Sequence, residues 1–234
     1  MRSVPRAALS AALLLAASMT LPPAAISAEL PRADLRYAVS INDTSLGEAS
    51  LKYGARDGGF EAHMETFANA KALLFAGGNA ATRMRYKVVN GKLLLLSSTE
   101  KSSGGERKVT VDWNKKQIKI PEKDPLPIKA GHGVENLPFP ASLLLRPIDT
   151  IGGSKLQVVS PNRVRDFIYE KPVREIIETP AGKFDTWRLR KKRADGKPVT
   201  VTVWLTRDAK KIPVRMERLK RERLTKFLLI KTGA

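Results

Sequence analysis

The residues whose type and spacing could do chemistry are basic, and they sit near the end of the chain. Arg188-Leu189-Arg190-Lys191-Lys192-Arg193 is one run, and Arg218-Leu219-Lys220-Arg221-Glu222-Arg223 is a second. Guanidinium forks hold phosphate or carboxylate bidentately, and lysines add point charge. Arg188, Arg190, Lys191, Lys192, Arg193, Arg218, Lys220, Arg221 and Arg223 are therefore the candidate anion-binding residues. Between Arg188 and Lys231 there are 16 basic and 4 acidic side chains, a net of +12 within a whole-chain charge of +19. An excess concentrated in one stretch is more informative than a diffuse one. The bland alternative is a solvated basic face that aids solubility.

Other chemistries lack their residues. The chain has two histidines, His63 and His132, far apart, and no His-x-x-x-His or carboxylate array for a metal. His132 lies in Gly131-His132-Gly133 and reads as an exposed loop residue. There is no cysteine, which removes disulfides, thiolate ligands, a cysteine nucleophile and a lipid-modified cysteine. No Gly-x-Ser-x-Gly elbow is present. The four Gly-Gly pairs lack the spacing of a phosphate loop. These absences favour a non-enzyme that uses no cofactor and no metal.

The elements before the basic runs set the compartment. Arg2 and Arg6 precede an apolar stretch from Ala7 to Leu21, then Pro22-Pro23 and the small residues of Ile26-Ser27-Ala28. This is the grammar of a cleavable signal peptide over residues 1–28. No later apolar run approaches the length of a membrane span. Loss of Arg2 and Arg6 lowers the net charge from +19 to +17. A cysteine-free exported chain suits a bacterial periplasm. There the available anions are lipid headgroups, lipopolysaccharide phosphates and acidic glycans, not nucleic acid.

Residues 29–234 read as a single β-rich domain. Leu35, Tyr37, Val39 and Ile41 alternate with polar residues, which predicts a half-buried strand. Further strands are expected at 46–53, 60–67, 81–89, 92–98, 107–113 and 117–120. After the Pro-rich irregular connection at about 121–140, more follow at 155–160, 163–170, 173–179, 184–191, 199–206, 212–219 and 224–230. Asn90-Gly91 is the favoured pair for a type I′ hairpin turn. Short helices are expected at 68–75 and 140–146. Strands at this spacing predict an all-β, mainly antiparallel fold, a curved sheet forming an open or incomplete barrel. In an antiparallel meander the turns after Arg193 and after Leu219 lie at the same end, so the two basic runs are expected to share one rim.

Thr179-Pro180-Ala181-Gly182-Lys183-Phe184-Asp185-Thr186-Trp187, Trp204-Leu205-Thr206-Arg207-Asp208 and Ile212-Pro213-Val214-Arg215-Met216-Glu217 form a recurring pattern. It resembles the bacterial envelope family named domain of unknown function 3108. Tyr37, Gly47, Ala49 and Leu51 are similar to that family's opening hairpin. Thr206 stands where a serine is more usual. The resemblance implies a periplasmic β-rich protein and no particular chemistry. A weaker similarity, to periplasmic lipoprotein carriers, implies an incomplete barrel around an apolar cavity. Trp187 and Trp204 are candidate cavity-lining aromatics. Pro213, lacking an N–H, marks an edge or a bulge.

The expected function is a soluble, non-catalytic binding or carrier module for an anionic amphiphile or another envelope component. Its partner would be anionic lipid, lipopolysaccharide or acidic glycan. Two alternatives stay open: an envelope assembly protein that adds a partner strand to a sheet edge, and a glycan-acting enzyme.

Overall fold

The computed structural model describes residues 30–69, 79–137 and 139–233. The leader expected at 1–28 and most of the helix expected at 68–75 lie outside these; Ala68 itself ends a strand.

The first half is an antiparallel meander. It runs through β1 (Ala33–Ile41), β2 (Thr44–Arg56), β3 (Gly59–Ala68), β4 (Ala80–Val89), β5 (Lys92–Ser102), β6 (Gly105–Asp112), β7 (Gln117–Lys119) and the two-residue β8 (Leu126–Pro127). Then come β9 (His132–Asn136) and two short 3₁₀ turns, Ala141–Leu144 and Ile148–Thr150. The second half is β10 (Lys155–Ser160), β11 (Arg163–Tyr169), β12 (Val173–Thr179), β13 (Gly182–Arg193), β14 (Val199–Thr206), β15 (Pro213–Lys220) and β16 (Arg223–Thr232). All fourteen expected strands are present. Asn90 and Gly91 have φ of 49° and 70°, the pair of positive values that a type I′ turn requires.

One sheet joins both halves, because β1 pairs with β16. The order runs from β8 back to β1, then β16, β15, β14, β13, β11, β10 and β9, while β12 pairs with β13 off this path. All neighbours are antiparallel except β9 and β10. The two end strands, β8 and β9, are next to each other in sequence. The sheet therefore curls until its ends meet, but no backbone ladder closes it. The Gln157 side chain spans the gap. It accepts from the Lys129 N–H at 2.8 Å and donates to the Pro127 carbonyl at 3.1 Å. The Pro-rich connection, read from sequence as irregular, thus supplies both ends of the sheet.

Inward positions follow the period of two. Leu35, Tyr37, Leu51, Met64, Met84, Leu95, Phe167, Leu189, Val203, Met216 and Leu229 are buried in one continuous core. Tyr37 donates to the Pro213 carbonyl at 2.7 Å and fastens the first strand to the penultimate one. At Pro213 the β14–β15 register shifts, as a residue without an N–H demands.

Candidate functional site

The inward face of the second half is apolar along most of each strand and cationic at one end. On β11, Phe167 and Tyr169 are buried, and the same alternation carries back to Arg165 and Arg163. On β13, buried Leu189 and Lys191 are followed in phase by Arg193. On β15, Val214 and Met216 lead in phase to Arg218 and Lys220. Lys220 pairs in register with Arg223 of β16. Cross-strand pairing of Phe167 with Arg193, and of Val199 with Lys220, puts these strand ends at one rim.

The rim surrounds a cavity of about 400 Å³. Arg107, Arg163, Arg165 and Arg218 face it against one acid, Glu100, and Leu137, Val158, Phe167 and Val199 form an apolar floor. Its volume lies within the range usual for ligand sites. The charges are poorly compensated. Among the described residues Arg163, Arg165 and Arg218 form no salt bridge, while Arg193 pairs with Asp195. The Nε–H groups of Arg193 and Arg218 are buried and meet no acceptor among the described residues. Burial, with the nearby charges of Arg163, Arg193 and Arg218, pulls the Arg165 guanidinium below its usual range. Burial acts likewise on Arg218, helped by Arg163 and Arg223. The charge of Arg218 is the main cause of the same shift at Lys220. Like charges held together with unused donors are an arrangement whose repulsion a nearby anion would relieve.

The nine cations expected from sequence are split by strand alternation. Arg218 lines the mouth, and Arg193, Lys220 and Arg223 stand beside its arginines at the rim. Arg221 is exposed at the tip of the β15–β16 hairpin, with φ of 56°. Arg188, Arg190 and Lys192 point to the other face of β13, where Arg188 pairs with Glu175 and the other two with Glu170. Lys191 is fully buried and bonds Glu135 at 2.9 Å. The mouth residues Arg107, Arg163 and Arg165 escaped the sequence reading. Carrying the buried phase of Phe167 and Tyr169 two and four residues back would have found the last two.

The tryptophans also separate. Trp187 lines a shallow apolar depression with Ile148 and Pro172, its ring beneath the Arg207 guanidinium. Trp204 lies on the opposite face of β14 from Val203 and Leu205. There its Nε1–H donates to Glu175 at 3.1 Å and Arg215 covers its ring.

A second cavity opens along the seam between the ends of the sheet, with a volume of about 740 Å³. Leu93, Trp113, Val134, Leu145 and Leu156 make its wall apolar, and Glu135 and Ser142 lie at its floor. Leu156 lines the seam cavity and Val158 the mouth. These neighbours on one face of β10 stand roughly 7 Å apart along the strand, so the two linings come within two residues of each other there.

A curled, open antiparallel sheet with a filled interior and a cationic mouth defines a β-barrel-like protein. Residues 36–220 match the family described as Protein of unknown function (DUF3108), and the chain belongs to that family. The fold is similar to that of a β-barrel-like protein of domain of unknown function DUF1849 from Brucella abortus. The two share 11% identity with a TM-score of 0.56, over 88% of this chain and 98% of the other. No curated protein matches the sequence.

Proposed function

We propose that this protein is a non-catalytic binding or carrier module of the bacterial periplasm, taking an anionic amphiphile. The phosphate or carboxylate head sits in the arginine mouth, and the apolar part lies toward the seam cavity. One observation carries the reading: inward-facing Arg165, Arg193 and Arg218 crowd together, and two of them keep buried donors that no described protein group accepts. Such crowding costs stability unless an anion relieves it, so the sequence favours a ligand over solubility alone. The apolar floor and the neighbouring seam cavity supply the other half of an amphiphile site. The periplasmic assignment rests on the leader-like residues 1–28 and the absence of cysteine. Among the described residues no helix is long and apolar enough to cross a membrane.

Native mass spectrometry of protein purified from the periplasm tests this. The expected spectrum shows an added mass that yields a phosphate- or carboxylate-bearing lipid on dissociation. A bare chain that also ignores anionic vesicles at low salt overturns the reading.

A second reading has its own observation. Among the described residues β12 pairs with β13 alone, and it exposes Val173 and Ile176. A partner strand added there would make this an assembly protein. Crosslinking from position 176 in cells tests it; recovery of no partner counts against it.

A further inference from the structure

The outer face of β3–β6 carries a second basic site, separate from the mouth. Register sets its layout in rows across the strands. Glu61, Arg85 and Ser97 form one row; His63, Arg83, Thr99 and Lys108 the next; Glu65, Ala81, Lys101 and Glu106 the third. The short side chains of Ser97 and Thr99 on β5 leave a trough between Arg83 and Arg85 on β4 and Lys108 on β6. Its volume is about 460 Å³. From Ser97 to Lys101 it runs roughly 13 Å along the strand.

Its charge is also in excess. Five cations line it, Arg56, Arg83, Arg85, Lys101 and Lys108, against Glu61 and Glu106, which leaves a net of +3. Glu61 is shared by three of them, at 3.8 Å from Arg56, 3.8 Å from Arg83 and 3.5 Å from Arg85. Asp57 also approaches Arg56 and Arg85, at 3.8 Å each. These are long contacts, and the two carboxylates are outnumbered by three guanidinium groups and two lysines. The arginines are more than half exposed, so their charges remain available to a ligand.

The trough and the mouth lie on the two faces of one hairpin. Thr99, Lys101, Glu106 and Lys108 serve the trough, while Glu100, Ser102 and Arg107 serve the mouth. The two sites can therefore be filled independently.

We propose that this trough binds an acidic glycan, a sugar chain bearing carboxylate or sulfate groups. Cations spaced along both walls suit repeated anions. The hydroxyls of Ser97 and Thr99, and the carboxylates of Glu61 and Glu106, suit sugar hydroxyls. Among the described residues no phenylalanine, tyrosine or tryptophan lines the trough, and His63 is its single ring. Single-stranded nucleic acid is usually held by stacking its bases on aromatics, so the lining favours glycan over nucleic acid.

The test is calorimetric titration of the mature protein with oligogalacturonate, with a sulfated oligosaccharide and with an oligonucleotide of matched length. The proteins are wild type, Arg83→Gln/Arg85→Gln and the single variant Lys101→Gln. Inorganic phosphate is titrated alongside as a probe of the mouth. Wild type should bind one or both glycans, and which one it prefers identifies the anion. The double variant should lose at least about tenfold in affinity, since it removes two charge-assisted contacts at an exposed site. Lys101→Gln should lose less, and phosphate binding should stay unchanged in both. Equal glycan affinity in wild type and double variant overturns the proposal whatever the mouth does. So does an oligonucleotide that binds as tightly as the glycans.

Discussion

Lys191 and Glu135 form an ion pair at 2.9 Å in the interior, with 1% and 2% of their side chains exposed. Glu135 also accepts from Tyr169 at 3.2 Å and from Ser142, and the Lys191 ammonium lies 5.4 Å from the Tyr169 ring centroid. The pair ties β9, an end strand of the sheet, to β13 across the curl. Breaking one side strands a buried charge, which costs about 3–5 kcal/mol. Glu135→Gln and Lys191→Met should each show that loss in urea denaturation. Glu135→Leu/Lys191→Met should recover much of it. If the single variants unfold at the wild-type midpoint, the pair does not hold β9 in place.

Tyrosine offers a pH readout. All four tyrosines, Tyr37, Tyr53, Tyr86 and Tyr169, are buried, and burial is the largest cause raising each phenol above its ordinary value. A raised folded value means the native state keeps protons that the unfolded state releases. Stability is then complete below about pH 10 and falls as pH climbs beyond it. Phenolate absorbance should stay flat to about pH 11 and then rise together with loss of the β-sheet circular dichroism signal. A rise while the sheet is intact contradicts the burial.

Gly47 sits in the opening hairpin at φ of 131°, and a Cβ there would fall 2.0 Å from the Phe67 carbonyl oxygen. Gly47→Ala must both strain its backbone and part β2 from β3. A destabilisation of at least about 2 kcal/mol is expected in thermal or urea unfolding. Gly58→Ala in the next turn meets no atom within 4 Å, so it carries only the cost of its own positive φ of 73°. Equal losses at the two positions would contradict the close approach.

The like-charge mouth should weaken the fold it belongs to. Arg165→Gln/Arg218→Gln removes two repelling guanidinium groups without emptying the apolar floor. The double variant should melt a few degrees above wild type at low ionic strength, with the gap closing as salt screens the mouth. Phosphate should raise the wild-type melting temperature, since a ligand of the native state stabilises it by mass action. A variant that melts below wild type at every salt concentration contradicts this.

How much was legible in the sequence follows from periodicity. Alternation at Leu35–Ile41, the Asn90-Gly91 turn and the spacing of the later runs were enough to place every long strand. β8 and β9 were hidden. β8 has two residues, one of them Pro127. β9 buries Val134, Glu135 and Asn136 in succession, so it shows no alternation, and its carboxylate is tolerable only because Lys191 arrives from a strand 56 residues away. The rim was legible in outline, since Arg193, Arg218, Lys220 and Arg223 do converge. Its membership was not, because a contiguous run such as 188–193 sends alternate residues to opposite faces. Arg163 and Arg165, isolated in sequence, join the mouth through β11.

The most direct test of the account is binding of a single-chain amphiphile with a phosphate head, titrated into wild type and Arg165→Gln/Arg218→Gln. Wild type should bind it at a saturable site. The double variant, which keeps the fold and the apolar floor, should bind on the order of 100-fold more weakly through loss of two charge-assisted contacts. Equal affinity in the two proteins, or no saturable binding by wild type, would contradict the claim that the arginine mouth is an anion site.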